Sequence, residues 1–394
     1  MNAMRAYSDP LDALKNFKYN VAIPASVLAG QFKSTVPYEK VLSGLMALGF
    51  DEVVEAGLGA KLVGMALAEQ LKNPDRPRPL ISSYCPAIIR LIQVRFASLV
   101  DHILRVETPM DAVARVINKT RSKELGLDIN GIGVFYITPC PAKVTAVKQP
   151  VAVKLNYISG AIAVRDVYDR IMATLDRVEE VPSIAKPSGL RSSPSLAAEL
   201  PDGAAVGRHL EADGLEDVIR ILERIEHEDL EEYDFVELYA CTGGCVGGIL
   251  NPEEPFIAKE RLGLLAEKKA DEVFEYSALG ISESDALKLV ENGELFLKEP
   301  VAPRPILKLG TDMAETIAVM EDIGKIQERL PGIDCCACGC PSGPALAEDI
   351  ALGDADILQC TFMLRDRIKE LTEEMVDLSG ALPPTMKKKG GRGK

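Results

Sequence analysis

Short runs of β-branched and aromatic residues alternate along the chain with longer stretches whose apolar positions recur at helical spacing. The runs are Val21-Ala22-Ile23-Pro24, Glu52-Val53-Val54-Glu55-Ala56, Gly133-Val134-Phe135-Tyr136-Ile137 and Phe235-Val236-Glu237-Leu238-Tyr239. Runs that are apolar almost throughout, rather than at every second position, suit strands covered on both faces. The alternation therefore predicts an α/β fold with largely parallel, buried strands. Helices are predicted over Asp166 to Leu175, Gly214 to Ile225 and Thr361 to Leu378, and Val181 to Pro201 reads as a Pro/Ser-rich connector. Another helix carries an apolar row of Ile317, Met320, Ile323, Ile326 and Leu330 and ends at Pro331-Gly332. In Pro300-Val301-Ala302-Pro303-Arg304-Pro305, three prolines in six residues oppose helix and central strand alike, and a domain boundary is expected there. No solenoid-type repeat is present.

Composition narrows the classes. A chain of 394 residues, 47% hydrophobic, can bury a sizeable core in two or three domains. A net charge of −14 argues against nucleic acid or an anionic membrane as the main partner, since both select clustered positive charge. The basic run Lys387 to Lys394 reads as a solubilising tail. No leader pattern and no apolar run near the roughly 20 residues of a membrane span is seen, so a cytoplasmic location is expected. Thiols stay reduced there, and the nine cysteines read as metal ligands or redox groups rather than disulfides.

Those cysteines fall into two sets. Four are dispersed beside Pro and Gly: Ser83-Tyr84-Cys85-Pro86, Thr138-Pro139-Cys140-Pro141-Ala142-Lys143, and Cys241-Thr242-Gly243-Gly244-Cys245 followed by Val246-Gly247-Gly248. Cys140 and Cys241 come just past predicted strands, where ligands of α/β sheets commonly bind. Glycines let backbone approach an inorganic core with amide N–H groups turned inward. The flanking prolines stiffen the loops. A redox pair or half of a zinc site competes for Cys241 and Cys245 taken alone.

The three segments, in this order, resemble the three ligand motifs of the iron-only (FeFe) hydrogenase catalytic domain, from about Val21 to Lys268. The resemblance implies a two-lobed hydrogenase-like α/β domain over residues 1–299, with lobes at about 20–150 and 151–299, then a small helical iron–sulfur domain over 300–380 and a flexible tail over 381–394. It implies that Cys85, Cys140, Cys241 and Cys245 hold the 4Fe-4S part of an H-cluster, with Gly244 and Thr138 beside it. Cys245 matches the thiolate bridging to a two-iron subsite. Lys143, by itself an ordinary solvated lysine, matches the lysine that donates to a cyanide ligand there.

Departures from the family pattern bear on activity. Tyr84 stands where the family has a proton-relaying cysteine, and a phenol of pKa ~10 exchanges protons near neutrality less readily than a thiol of ~8.5. Paired glutamates of the outer proton path correspond to Ala66 and Leu67, leaving only Glu69 nearby. A family serine falls near Leu104, and a methionine flanking the subsite becomes Thr138. Slow hydrogen turnover follows. No cysteine precedes Cys85, so the usual ferredoxin-like extension is not expected and electrons arrive from another chain or route.

The second set is Cys335-Cys336-Ala337-Cys338-Gly339-Cys340, with Cys360 after it. It resembles a helical 4Fe-4S module of spacing Cys-x2-Cys-x4-Cys-x16-Cys, in which Cys335, Cys338 and Cys360 match and Gly343 occupies the third position. Cys340 supplies the missing thiolate, with Cys336 as runner-up, or the cluster has three cysteine ligands. Zinc is the bland competitor. A hydrogenase-like domain followed by this module resembles the sensory branch of the family.

The combined expectation is two 4Fe-4S clusters, a two-iron subsite if matured, and a low-activity hydrogenase that binds H2. Its partners are H2 and protons, maturation proteins, and a ferredoxin-like electron partner or signalling protein, with a homodimer left open. The rival expectation is an iron–sulfur electron-transfer or scaffold protein that never receives the two-iron subsite. His102, His209 and His227 form no metal motif, and no dinucleotide or P-loop fingerprint exists. The acidic stretch Glu223 to Glu232 reads as a solvated helix face.

Overall fold

The computed structural model describes residues 8–152, 155–178, 195–201, 204, 207–268, 276–304, 312–333, 335, 338, 340 and 342–381. Cys336, the tail after Ala381 and most of the Pro/Ser-rich connector lie outside the described residues. The chain divides into two compact units, one covering residues 6–304 and the other holding residues 305–394.

Among its described residues the larger unit contains seven strands: β1 (Tyr19–Pro24), β2 (Glu52–Val53), β3 (Leu80–Ile81), β4 (Ile132–Thr138), β5 (Gly160–Ala163), β6 (His209–Asp213) and β7 (Phe235–Tyr239). They form two sheets, ordered β2-β1-β4-β5 and β3-β7-β6. All five pairings are parallel. Every residue of β4 and of β7 is buried, which is why both read as continuous apolar runs. The helices are α1 (Tyr38–Ala47), α2 (Gly57–Leu71), α3 (Pro86–Arg95), α4 (Pro109–Leu125), α5 (Pro141–Lys148), α6 (Val164–Thr174), α7 (Leu215–Glu226), α8 (Pro255–Lys268) and α9 (Glu283–Glu291). There are two cores, one built on residues such as Val21, Val134 and Ile162 of the first sheet and reaching Leu80 and Phe235 of the second, the other on Ile81, Ile88 and Val236.

Three strands escape the periodicity. β3 is two residues long, β5 is made of small residues and runs straight into α6, and β6 is a half-buried polar edge. The run from Glu52 pairs as a strand over two residues only, although Val54 and Ala56 still donate their N–H groups to Ala22 and Pro24. The sheets interleave along the chain, since β3 joins the second sheet before β4 and β5 complete the first. The Pro-rich segment through Arg304 stays with the larger unit: Val301 is buried in the second core and Arg304 N–H donates to Gln93 O.

The smaller unit contains α10 (Met313–Arg329), α11 (Gly343–Ala351) and α12 (Thr361–Ala381). Its core comprises Leu330, Cys340, Leu346, Ala347 and Cys360. The apolar row on α10 is buried only towards its end. Ile323, Ile326 and Leu330 pack on this core, whereas Ile317 and Met320 are exposed.

Candidate iron–sulfur sites

Each dispersed cysteine is delivered by the turn that follows a strand. After β3, Cys85 is the N-cap of α3 with Pro86 in its first turn; after β4, Cys140 is the N-cap of α5 with Pro141 in the same place. The Cys-Pro pairs therefore start helices as well as stiffening loops, because proline suits the first helical turn. A thiolate in that position faces the positive end of the helix dipole. After β7, Cys241 opens a loop in which Gly243 and Gly244 take positive φ, 80° and 70°, a conformation disfavoured for side-chain-bearing residues. The 3-10 turn Gly244–Gly247 then carries Cys245.

Two contacts lock these loops together. Pro139 O accepts from Leu250 N–H at 3.0 Å, and a Cβ placed on Gly248 would lie 2.4 Å from the same oxygen. The Cys241–Cys245 loop thus approaches the Cys140 turn as closely as backbone allows. Thr138 Oγ1 accepts from Cys140 N–H at 3.2 Å and is 3.3 Å from Cys140 O, so this buried hydroxyl is engaged with the turn that presents Cys140.

The four thiols are near enough to sense one another's charge. Burial pushes the Cys85 thiol above its usual pKa, and Cys245 and Cys140 add to the rise while the Ala240 N–H opposes it. Cys241 is pushed up to about 11 by burial, then by Cys140, Cys85 and Cys245. Cys85 and Cys241 therefore hold their protons near neutrality until a cationic centre displaces them.

Lys143 supplies the positive charge. Its side chain is buried at 2% exposure, with Nζ 3.7 Å from Cys245 Sγ, 3.5 Å from the Tyr136 hydroxyl and 3.9 Å above the Tyr84 ring centre. No carboxylate among the described residues forms an ion pair with it. Burial opposes its charge, yet Cys245, then Tyr136, Tyr84 and Cys140, hold its pKa well above the ordinary lysine value. A buried ammonium without a carboxylate is costly unless anionic groups face it. Thiolates ligating an iron–sulfur cluster meet that need, so the residues fit the group.

Tyr84 packs edge-on against Tyr239, ring centres 6.1 Å apart, and burial raises its phenol pKa well above the usual value. It borders a pocket shared with Ser26, Gly57, Tyr136, Glu199 and Cys245. Ala66 and Leu67 are fully buried core residues of α2, and Leu104 is likewise buried. Glu69 is exposed and paired with Lys72 at 2.7 Å.

One buried group went unnoticed in the sequence. Glu237 of β7, with no exposure, accepts from Ser195 Oγ at 2.5 Å, Leu196 N–H at 2.8 Å and the Tyr239 hydroxyl at 3.2 Å, and His209 Nε2 lies 3.0 Å away. Burial raises its pKa, but these partners outweigh it and hold the carboxyl below its usual range. Its signal was a charged residue inside an otherwise apolar strand.

In the smaller unit, Cys335, Cys338, Cys340 and Cys360 border one pocket, together with Gly343. Gly343 is the first residue of α11, capped by Ser342, whose Oγ accepts from Ala345 N–H. Cys340 Sγ lies 3.7 Å from Asp349 Oδ2, and burial, then Cys338 and Asp349, push its pKa up to about 11. The described cysteines are free thiols. Among the described residues, no three His, Cys, Asp or Glu side chains are gathered tightly enough for a single metal ion.

An α/β scaffold that sets cysteines on strand-end turns, one of them beside a buried ammonium, suits an iron–sulfur protein. The chain belongs to the family "iron only hydrogenase large subunit, C-terminal domain", whose model matches residues 18–181 and 159–249. It is 22% identical over 256 residues to iron hydrogenase 1 of Clostridium pasteurianum, covering 53% of this chain and 44% of that protein. It is 32% identical over 65 residues to a cytosolic Fe-S cluster assembly factor NAR1 homologue of Schizosaccharomyces japonicus, covering 16% of this chain and 13% of that one. The chain thus spans less than half the length of these curated relatives. Among solved structures it resembles an FeFe-hydrogenase described for oxygen inactivation of its H cluster, with a TM-score of 0.56, 17% identity and coverage of 74% of this chain and 98% of that one. It also resembles a variant of FeFe-hydrogenase HydA1 from Chlamydomonas reinhardtii, with a TM-score of 0.53, 18% identity and coverage of 74% and 94%. The shared architecture is the two-sheet α/β fold. No helix among the described residues is long and apolar enough to cross a membrane.

Proposed function

We propose that this chain is a sensory FeFe-hydrogenase-type protein, with an H-cluster at Cys85, Cys140, Cys241 and Cys245 and a second 4Fe-4S cluster at Cys335, Cys338, Cys340 and Cys360. The observation that carries this reading is Lys143, a buried ammonium 3.7 Å from Cys245 with no carboxylate ion pair among the described residues. When bound, the H-cluster supplies the redox chemistry that interconverts H2 with protons and electrons. Lys143 Nζ orients and neutralises anionic groups beside Cys245. Tyr84, bordering the same pocket, is the proton-bearing side chain in the place of the family cysteine. Its raised pKa keeps that proton on the phenol oxygen, which slows exchange with the pocket. Ala66, Leu67 and Leu104 offer no titratable group for an outer path. Slow turnover with retained hydrogen binding suits a sensor, because occupancy then follows hydrogen level rather than flux. A ferredoxin-like protein or a signalling partner would receive the electrons.

Infrared spectroscopy after maturation tests this reading. CO and cyanide stretching bands are expected; their absence from a sample carrying its full complement of 4Fe-4S clusters would overturn it.

The second reading is an iron–sulfur scaffold or electron-transfer protein without the two-iron subsite. It is favoured by Tyr84 in place of the relay cysteine and by the match to the cluster assembly factor. It predicts cubane clusters only, and hence no such bands.

A further inference from the structure

Helix α12 is 21 residues long, and only its beginning is packed: Phe362 and Met363 lie against the small core. Beyond them Leu364, Ile368, Leu371, Met375 and Leu378 are 41%, 55%, 42%, 71% and 69% exposed. Their separations alternate four, three, four, three, the spacing of a coiled-coil seam rather than of a broad core-facing stripe. In heptad terms Ile368 and Met375 are a positions, and Leu364, Leu371 and Leu378 are d positions. Apolar residues at every a and d position of this stretch suit knobs-into-holes packing against a second helix. A lone helix of this length gains little stability from propensity alone, and a continuous exposed apolar seam is characteristic of an interaction surface.

We infer that α12 is a self-association surface on which two copies of this chain pair their helices antiparallel about a two-fold axis. Charge selects both the occupant and the direction. The positions flanking the seam on one side are Arg367 and Glu374, both exposed and of opposite sign. In an antiparallel pair these g positions face each other, so Arg367 of each copy meets Glu374 of the other. A parallel pair sets Arg367 against Thr372 and forms no such bridge. A seam that complements itself only when reversed fits a second copy and closes as a dimer. This inference stands apart from which clusters the protein carries.

Light scattering and sedimentation of the full-length, iron-loaded chain test it, with a dimer expected. Leu371→Glu, at a d position, should give monomers with unchanged iron content and helical signal, whereas Glu373→Lys, on the outward face, should leave the dimer intact. Met375→Lys provides an independent seam substitution at a more exposed position, should Leu371→Glu disturb the fold. Arg367→Glu should weaken dimerisation by about tenfold, and adding Glu374→Arg should restore it. A monomeric wild-type protein, or a dimer that survives both seam substitutions, would overturn the inference. Failure of the double charge swap to restore pairing would overturn the antiparallel arrangement.

Discussion

At the scale of single residues, the candidate site turns on Lys143 and Tyr84. Stacked 3.9 Å apart, they form a unit in which the tyrosine face attracts the ammonium and the ammonium opposes the rise that burial gives the phenol pKa. Tyr84→Cys should raise hydrogen turnover of the matured protein, measured per H-cluster; an unchanged rate would show that the phenol is not the limiting proton group. Glu237 makes a separate prediction. Its folded pKa is depressed, so the stability it contributes is present above its unfolded value of ~4.3 and lost as pH falls through the folded value. Glu237→Gln should destabilise the fold by about 1–3 kcal/mol at neutral pH, by weakening bonds to Ser195 and the Leu196 and Ala197 amides. The gap from wild type should narrow in acid, as read by denaturant titration across pH. A constant gap would mean that the carboxylate charge is immaterial.

At the scale of elements, the turn after each strand is the functional part. Gly248→Ala introduces a Cβ against Pro139, and the atoms it would meet, O, C and the ring Cβ, include no flexible side-chain tip that can yield. We expect iron and labile sulfide to fall to roughly the content of the proposed second cluster, together with a loss of about 1–3 kcal/mol from overpacking. Full iron content in this variant would show that the loops can separate without releasing the first cluster.

Much of this level was legible in the sequence. β1, β4 and β7 announce themselves as buried apolar runs, and the cysteines mark where the turns must converge. β3 and β5 could not be read, because two residues or a run of small side chains carry no period, and a polar edge such as β6 resembles a loop. Lys143 was legible only through the family motif, since nothing local to Pro141-Ala142-Lys143 distinguishes a lysine that points inward. Glu237 was visible but unread; a carboxylate within Phe235 to Tyr239 obliges the fold to supply donors.

At the scale of the whole molecule, the two units differ in how much of their stability the proposed metal centres would have to provide. The larger unit has two extensive cores, whereas among the described residues the smaller has a hydrophobic core of five, two of them thiols bordering its pocket. A core of that size does not sustain a domain unaided, so the binding energy of the proposed second cluster would become folding energy there. Removing iron with a chelator should therefore release residues 305–394 to proteolysis first, with the larger unit still resistant. Equal resistance of both units would refute the dependence.

The interleaving of the two sheets has a consequence for how the chain can be divided. Cys85 leaves the second sheet, Cys140 the first, and Cys241 the second again, so a centre held by these thiols works as a rivet through two layers that share one thread. A break near residue 150 would strand β3 from its partner β7 in one fragment and β5 from its partner β4 in the other. Neither fragment could complete a sheet, since one keeps only β2-β1-β4 and the other only β6-β7, and the whole protein could be rebuilt from such pieces only by folding them in each other's presence.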